Sequence, residues 1–223
     1  MRKAFALFDF DGTLIPWDSI VRFCLFAHKR GLCSKAQLWR GAWAAFRYKL
    51  GLSNAQQSKA AALSFLAGHS QEELSALSQA FFEEVLAPAL RPQAKETLAK
   101  HRAQGDVILF LTASPSFYLE PFKEAFGIAE IIGTRMDVDP SGMFTGLISG
   151  ENCRGIQKPL RLAEYLAATG DRLEYDSSWA YGDSASDAPM LALCAHKVAV
   201  NPGRGLKKKL QNLEGVILAD WKD

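Results

Sequence analysis

Short apolar runs, each followed by a polar or helical stretch, constrain the fold of this chain more than any other feature. A strand that is apolar on both faces belongs in a parallel sheet that helices cover on both sides. The sequence therefore predicts an α/β fold, a three-layer sandwich with a parallel sheet as its middle layer. Ligands bind at the carboxyl ends of the strands in such folds. The predicted strands cover residues 4–10, 107–111, 179–181, 197–200 and 216–219.

A helical region separates the first two of these strands. Residues 70–73 read Ser-Gln-Glu-Glu, a capping box that begins a helix. Leu74, Leu77, Phe81 and Val85 then recur at helical spacing and give that helix one apolar face. We predict that this region is a helical cap inserted after the first strand.

The insertion predicts how the chain is divided. Residues 1–15 and 91–223 would form the core, and residues 16–90 would form the cap. Within the core, residues 134–146 alternate around an Asp-Pro-Ser-Gly sequence, which predicts a β-hairpin.

Four polar motifs accompany the predicted strands. Asp9 and Asp11 lie on one side of a strand because side chains two residues apart point the same way, and a cation is needed to offset their repulsion. Together the motifs supply carboxylates for a hard cation, a lysine, and small residues whose backbone amides reach an anion. That set suits a phosphate bound against magnesium. The motifs are DFDGT at residues 9–13, TASPS at 112–116, Lys158, and GDSASD at 182–187.

These motifs, in this order, resemble the four motifs of the haloacid dehalogenase (HAD) superfamily. The position of the helical insert resembles the cap of the phosphoserine phosphatase-like branch, subfamily IB. The resemblance covers nearly the whole chain. It implies a HAD-like Rossmannoid core and a magnesium-dependent phosphatase that hydrolyses a small phosphomonoester through an aspartyl-phosphate intermediate. A carboxylate nucleophile would divide this slow hydrolysis into two steps.

The resemblance implies catalytic roles for four residues. Asp9 would be the nucleophile, and Asp11 would protonate the leaving oxygen and then act as base for the attacking water. Thr112 would hydrogen-bond the transferring phosphoryl group, and Lys158 would hold the charge of that group and of Asp9. An aspartate at the position of Asp11 is typical of the phosphatases of the superfamily, whereas its transport ATPases carry threonine there.

The resemblance also implies a magnesium site beside these residues. Asp9, Asp183 and the main-chain carbonyl of Asp11 would bind Mg²⁺. Asp187 would complete the metal site by orienting it, either through contacts with the residues that bind the ion or through a water molecule. Gly12, a small residue of the first motif, is predicted to contact the bound substrate.

Asp18 and Ser114 bear on the identity of the substrate. Asp18 occupies the place where phosphoserine phosphatases carry an acidic residue that meets the substrate amine. This predicts an amino-alcohol phosphate such as phosphoserine or histidinol phosphate, although Asp18 can equally be the N-cap of a helix. Ser114 is predicted to contact the substrate as a hydroxyl of the second motif. The Gly-Gly of the family is Ala113-Ser114 here, which argues against phosphoserine itself.

Residues 36–52 form a second informative helix. Trp39, Trp43, Phe46 and Leu50 share one face, which is typical of a helix that packs within a cap. A basic, tryptophan-rich helix can also rest at a membrane interface and present a lipid phosphate. The chain somewhat resembles bacterial phosphatidylglycerophosphate phosphatases of the same superfamily. Hydrolysis of a lipid phosphate, with peripheral membrane contact, is therefore the alternative.

Charge and cysteine content narrow the partners and the compartment. The formal net charge of +2 gives no reason to expect nucleic acid binding. The four cysteines are far apart and lack a CxxC spacing, which is typical of reduced thiols in a cytoplasmic protein. No apolar run suits a signal peptide or a transmembrane segment. We expect a cytoplasmic enzyme acting on a small phosphomonoester, with no oligomeric state predicted. A non-catalytic phospho-acceptor of signalling is the rival, which the cap and Asp11 disfavour.

Overall fold

A seven-stranded sheet forms the centre of the protein. The structure is a computed structural model, which describes residues 2–211 and 213–222. The strands of these residues are β1 (Arg2–Lys3), β2 (Phe5–Phe8), β3 (Val107–Pro115), β4 (Glu130–Val138), β5 (Phe144–Ser149), β6 (Arg172–Leu173), β7 (Trp179–Gly182), β8 (His196–Val200) and β9 (Val216–Ala219).

The central sheet has the strand order β5-β4-β3-β2-β7-β8-β9. Its neighbouring strands are parallel except β4 and β5, which are antiparallel. β1 and β6 form a separate parallel pair. The predicted parallel sheet is confirmed, and β4 and β5 are the predicted hairpin, with Gly142 donating its N–H to the carbonyl of Asp139 at 2.9 Å.

Strand β2 shows why the sheet is covered on both faces. Phe5 and Leu7 point into one apolar core, and Ala6 and Phe8 point into the other, on the opposite face. All four side chains are fully buried, which confirms the three-layer arrangement. The strand ends at Phe8, two residues earlier than predicted, and the chain enters a turn at residues 12–14.

Helices cover the sheet and fill the interval between β2 and β3. A 3₁₀ turn (Ser64–Leu66) and a π-helical turn (Phe82–Leu86) interrupt that interval. The helices are α1 (Ser19–Lys29), α2 (Lys35–Lys49), α3 (Ala55–Leu63), α4 (Gln71–Phe81), α5 (Ala87–Ala89), α6 (Pro92–Gln104), α7 (Pro121–Phe126), α8 (Gln157–Thr169), α9 (Ala188–Leu191) and α10 (Arg204–Leu210).

The start of α4 confirms its predicted capping box. Ser70 Oγ accepts from the amide of Glu73 at 3.1 Å, and Glu73 Oε2 accepts from the amide of Ser70 at 3.0 Å. Leu74, Leu77 and Phe81 are buried, as the helical spacing predicts. Val85 lies beyond the helix, in the π-helical turn.

Helices α1 to α5 lie within residues 16–90, the range predicted for the cap. They contact the core partly through the hairpin, since the amide of Phe144 donates to the carbonyl of His69 at 2.9 Å. The division of the chain into a core of residues 1–15 and 91–223 and a cap stays a prediction.

The expected packing of the aromatic face of α2 is wrong. Trp39 is 76% exposed, Trp43 62%, Phe46 50% and Leu50 56%. The helix is buried only on another side, where Gly41 lies against α3. Small residues let two helices approach closely, so α2 uses its small-residue side for packing and leaves its aromatic side open. Within residues 2–211 and 213–222, we find no helix with the length and apolarity that crossing a membrane requires.

Candidate active site

The predicted motifs meet at the carboxyl ends of three neighbouring strands. Asp9 and Asp11 follow β2, Thr112 lies near the end of β3, and Asp183 follows β7. Lys158 approaches from the first turn of α8. Parallel strands place all their carboxyl ends at one edge of the sheet, so residues far apart in sequence line one cavity.

Lys158 is the cation that lies between the carboxylates. Its side chain is 1% exposed, and its Nζ lies 2.6 Å from Asp9 Oδ1 and 2.6 Å from Asp187 Oδ1. Burial alone would lower the pKa of Lys158, but Asp187 and Asp9 raise that pKa above its usual value. Lys158 is therefore a permanent positive charge against Asp9.

Three carboxylates exceed what a single lysine neutralises. Oxygens of Asp9, Asp183 and Asp187 all lie within 4.8 Å of one another. Burial, with Asp187 next in importance, raises the pKa of Asp9 well above its usual value and that of Asp183 to about 6. Oxygen ligands on closely spaced carboxylates are what Mg²⁺ requires. The donor set fits magnesium, and a bound cation would reverse these upward shifts.

Asp187 differs from the other two because both of its oxygens already accept hydrogen bonds. Oδ1 accepts from Lys158, and Oδ2 accepts from the amide and the hydroxyl of Ser184 at 2.9 and 2.7 Å. Burial tends to raise the pKa of Asp187, but Lys158 and Ser184 lower it below the usual range. Because both of its oxygens are engaged, Asp187 is better suited to orient Lys158 and the metal site than to bind the ion directly.

Asp11 lies in a different environment, built from hydroxyl groups. Its Oδ1 accepts from the amide of Ser19 at 2.9 Å, and its Oδ2 accepts from the hydroxyl of Ser114. Ser19 Oγ lies 2.9 Å from Ser114 Oγ and 2.8 Å from the hydroxyl of Tyr118. When Asp11 is ionised, Ser114 spends its hydrogen on Asp11, so Ser19 donates to Ser114 and Tyr118 to Ser19. Burial, and then the charge of Asp18, raise the pKa of Asp11 to about 7 against these hydrogen bonds.

Gly12 holds the two acidic motifs close together. Its φ of +80° is a conformation that glycine adopts readily. A Cβ atom at this position would lie 2.4 Å from Asp183 Oδ2, so a larger residue would displace that carboxylate. The neighbouring Thr13 donates to Asp183 Oδ1 at 3.3 Å. The contact of Gly12 with the substrate stays a prediction.

The second motif presents two hydroxyl groups with different surroundings. Thr112 Oγ1 accepts from the amide of Ser114 at 3.0 Å, which leaves its hydrogen available for a bound group in the cavity. The hydroxyl of Ser114 is directed at Asp11. Ser114 therefore positions Asp11 in this structure, and its predicted contact with the substrate stays a prediction.

Asp18 is the N-cap of α1. Its Oδ1 accepts from the amides of Ile20 and Val21 at 2.9 and 3.4 Å, so the N-cap interpretation describes its observed contacts. Among the residues that the structure covers, none donates to Oδ2. The side chain is exposed at the cavity wall, where a substrate amine could meet that oxygen.

Lys59 joins the helices between β2 and β3 to the core at the site itself. Its Nζ donates to the carbonyl of Ala113, to Thr134 Oγ1 at 3.3 Å and to Asn152 Oδ1 at 2.5 Å. Burial lowers the pKa of Lys59 to about 8, with the charges of Asp11 and Asp18 opposing that change. The ammonium group therefore persists at neutral pH, with an acceptor on the core for each of its three hydrogens.

Asp9, Asp11 and Asp183 line one end of a cavity with a volume of about 890 Å³. This volume falls within the range of about 300–1,000 Å³ that is usual for ligand sites. Its wall away from the carboxylates is made by α1, α2 and α3 and is largely apolar. Apolar residues on that wall include Val21, Cys24, Leu38, Ala45 and Ala62. The cavity has room for more than a phosphate and a short polar chain.

Sequence reasoning missed Ser19, Tyr118 and Lys59. Tyr118 is linked to Asp11 only through the fold, by its contact with Ser19, from which 99 positions separate it in the chain. Lys59 lies in a short stretch of glutamine, serine and alanine that reads as a solvated helix face. Only Ser19 carried a local signal, because it follows a helix N-cap candidate directly.

Known proteins resemble this chain in sequence and in fold. A family profile described as haloacid dehalogenase-like hydrolase matches residues 6–192. A protein named histidinol-phosphatase from Neisseria meningitidis serogroup C (strain 8013) is 32% identical over 209 residues, which cover 93% of this chain and 94% of that protein. A solved structure of a protein with unknown function from Bordetella pertussis Tohama I has a TM-score of 0.87 at 32% identity, over 99% of each chain. A substrate-bound phosphoserine phosphatase has a TM-score of 0.65 at 21% identity, over 97% of this chain and 93% of that one, which is a likeness of fold.

Proposed function

The chain belongs to the haloacid dehalogenase-like hydrolases and is a phosphomonoesterase of that family; we propose that it hydrolyses a small phosphomonoester with magnesium, through a phosphorylated Asp9. One observation carries the proposal. Asp9 is held by Lys158 at 2.6 Å, while Asp11, two residues away, accepts hydrogen bonds from Ser19 and Ser114, and burial raises its pKa to about 7. A nucleophile beside a permanent cation and an acid that titrates near neutral pH are the two groups that the reaction needs.

In the first step, an oxygen of Asp9 attacks phosphorus and the bond from phosphorus to the leaving oxygen breaks. Lys158 neutralises charge on Asp9 and on the phosphoryl oxygens, and Thr112 donates its free hydrogen to one of them. Asp11, protonated, gives its proton to the leaving oxygen. The products of this step are the free alcohol and phosphorylated Asp9.

In the second step, water hydrolyses phosphorylated Asp9. Asp11, now ionised, takes a proton from the water as the water oxygen bonds to phosphorus, and the carboxylate of Asp9 leaves. The hydrogen bonds from Ser19 and Ser114 keep Asp11 in position for both steps. Asp9 and Asp183, with the main-chain carbonyl of Asp11, would hold Mg²⁺, which supplies positive charge to the phosphoryl oxygens when bound.

Substrate selection is proposed to combine charge and apolar contact. The exposed oxygen of Asp18 suits an amine, and the apolar wall of α1 to α3 suits a ring or chain attached to it. An amino-alcohol phosphate such as histidinol phosphate has both features, and the relative from Neisseria carries that activity in its name. The size and apolarity of the same wall favour a lipid phosphate as the second candidate.

Phosphate release from a panel of substrates in Mg²⁺ tests this proposal. The panel holds phosphoserine, histidinol phosphate, sugar phosphates, nucleotides and a lysophospholipid phosphate. We expect repeated turnover that EDTA abolishes and that Asp9→Asn reduces by at least about a thousand-fold. Absence of turnover, with at most one phosphate taken up per chain, would favour the signalling phospho-acceptor instead.

Asp18→Asn is the matched variant for substrate selection. Asparagine caps a helix as well as aspartate does, so α1 stays intact while the charge is removed. We expect the KM for the amino-alcohol phosphate to rise while the KM for a sugar phosphate stays unchanged. Equal changes for both substrates would exclude an amine contact at Asp18.

A further inference from the structure

The exposed face of α2 has no partner within the part of the chain that the structure describes. We propose that this face docks on the surface of an anionic lipid membrane. Trp39, Trp43, Phe46 and Leu50 form a continuous apolar stripe along the helix, each at least half exposed. The rings of Trp43 and Phe46 touch, with centroids 5.6 Å apart. We call this stripe, with the basic residues beside it, the docking face.

Packing elsewhere in the protein leaves the docking face open. A Cβ atom on Gly41 would lie 3.1 Å from the Cα of Ala62, so α2 is pressed against α3 on the side away from the stripe. The stripe therefore does not become buried by a small shift of α2. Exposed tryptophan and phenylalanine on one helix face are characteristic of helices that lie in the interface of a bilayer.

Basic side chains border the stripe on both sides. At helical spacing, Arg40 and Arg47 lie along one edge, and Lys35 and Lys49 lie along the other. All four are exposed, and none forms an ion pair with any residue in 2–211 or 213–222. Long basic side chains at the edges of an apolar stripe place their charges at the level of lipid headgroups while the rings enter the acyl boundary.

The positive charge of the sequence around α2 indicates that the partner is negatively charged. Residues 19–70 contain eight lysines and arginines and no aspartate or glutamate. The rest of the chain therefore carries a net charge of −6, so the small overall charge hides a strong separation of sign. A second copy of this chain would bring like charges together across the docking face, whereas an anionic bilayer complements them.

The docking face adjoins the site without contributing to the chemistry. Trp39 and Lys49 stand at the outer wall of the cavity, whereas the reacting carboxylates lie on the core. Docking would set the cavity mouth near the lipid surface whichever phosphomonoester is hydrolysed.

Co-sedimentation with vesicles tests the proposal. We expect the full chain to bind vesicles of equal parts phosphatidylcholine and phosphatidylglycerol, and to bind phosphatidylcholine vesicles weakly. The Trp43→Ala/Phe46→Ala variant changes two exposed residues, so it should fold and turn over a soluble substrate normally while binding vesicles at least roughly tenfold more weakly. Arg40→Gln/Arg47→Gln should weaken binding roughly thirty-fold, since each basic residue near the surface contributes roughly five- to sixfold.

Three controls separate docking from other effects. Lys207→Gln/Lys208→Gln removes the same charge from α10, at exposed positions elsewhere, and should bind vesicles like the wild type. Asp9→Asn should also bind normally, so failure of docking is distinguishable from failure of the proposed catalysis. Equal binding by all variants, or no preference for the anionic vesicles, would overturn the proposal. Self-association that Trp43→Ala/Phe46→Ala abolishes would overturn it as well, by assigning the face to a second copy.

Discussion

Asp9 and Asp11 are two residues apart, yet their surroundings suit them to opposite tasks. Asp9 touches the buried ammonium of Lys158 at 2.6 Å and lies close to two further carboxylates. Asp11 touches hydroxyl and amide groups, and burial raises its pKa to about 7. Two carboxyl groups held in such different environments can serve as nucleophile and as acid and base.

Asp11→Asn tests the second of these tasks. With p-nitrophenyl phosphate, whose leaving group needs no proton, the first step should survive. Hydrolysis of phosphorylated Asp9 should slow by roughly 10²–10⁴-fold, because the water loses its base. We expect a burst of p-nitrophenolate close to one per chain, followed by slow turnover in rapid-mixing experiments. An Asp11→Asn protein with the steady rate of the wild type would exclude this role.

At this scale, the sequence predicts residues that belong to short motifs and misses those recruited by folding. Asp9, Asp11, Thr112 and Asp183 were predictable because strand ends place them at one edge of the sheet. Tyr118 was not, since nothing in its local sequence indicates a contact with the hydroxyl chain to Asp11.

Among the elements, two helices of the predicted cap contact the site, α1 through Ser19 and α3 through Lys59. Lys59 donates to three oxygen acceptors, which lie on β3, on β4 and in the loop before α8. A buried lysine that makes three hydrogen bonds fixes the angle at which a helix meets the core. The same side chain holds the backbone carbonyl of Ala113, a residue of the second motif.

Lys59→Met should loosen this connection. Methionine keeps the length of the side chain but removes the three hydrogen bonds that Lys59 donates. The single hydroxyl hydrogen of Thr134 then has to serve both the carbonyl of Ala113 and Asn152 Oδ1, so one buried acceptor is left unsatisfied, which costs roughly 1–3 kcal/mol in the free energy of unfolding. Chemical denaturation measures this loss. The control is Lys49→Met on the exposed side of α2, which should change stability by less than about 0.5 kcal/mol. If the two variants had the same free energy of unfolding, the hydrogen bonds of Lys59 would not contribute to stability.

Helix α2 shows what periodicity leaves open at the scale of elements. The spacing of Trp39, Trp43, Phe46 and Leu50 predicts a helix with one apolar face, and the helix forms. Which face packs was decided by Gly41, because backbone approach to α3 requires a small residue there. An apolar stripe indicates burial only if a neighbour of suitable shape faces it.

Across the whole molecule, a buried histidine links the sheet to α6. His101 lies 2.7 Å from the hydroxyl of Tyr181 and 2.7 Å from Asp106 Oδ2, and its ring packs edge-on against Phe8 and Trp179. Burial lowers the pKa of His101 below its usual value, although Asp106 opposes the change. The folded protein therefore prefers the neutral imidazole.

This preference predicts a pH dependence of stability. Below the unfolded pKa of about 6.5 the unfolded chain binds a proton that the folded chain resists, so stability falls as the pH drops. The contribution is complete above that pKa and is lost as the pH falls towards the folded value. Denaturation of wild type and His101→Gln between about pH 7 and pH 5 should show a flatter slope for the variant. If stability fell equally steeply with pH in both proteins, a group other than His101 would be responsible for the loss of stability in acid.

The chain as a whole was predictable to the extent that its strands are short, apolar and separated by helical signals. The meeting of the four motifs at one edge of the sheet followed from parallel topology, whereas the order of the strands was not predicted and is known only from the fold. The exposed, strongly basic surface of α2 depends on which side of a helix packs, and the contact made by Lys59 depends on tertiary distances.

Phosphorylation of Asp9 is the claim on which the proposed function depends most directly. Wild-type protein mixed with p-nitrophenyl phosphate and Mg²⁺ would be quenched in acid within the first turnover, and its peptides analysed by mass spectrometry. We predict the mass of one phosphoryl group on the peptide that contains Asp9, with fragmentation placing it on Asp9 and not on Asp11, and its absence in Asp9→Asn. Rapid phosphate release with no phosphoryl group on Asp9, or with that group on another residue, would contradict the account.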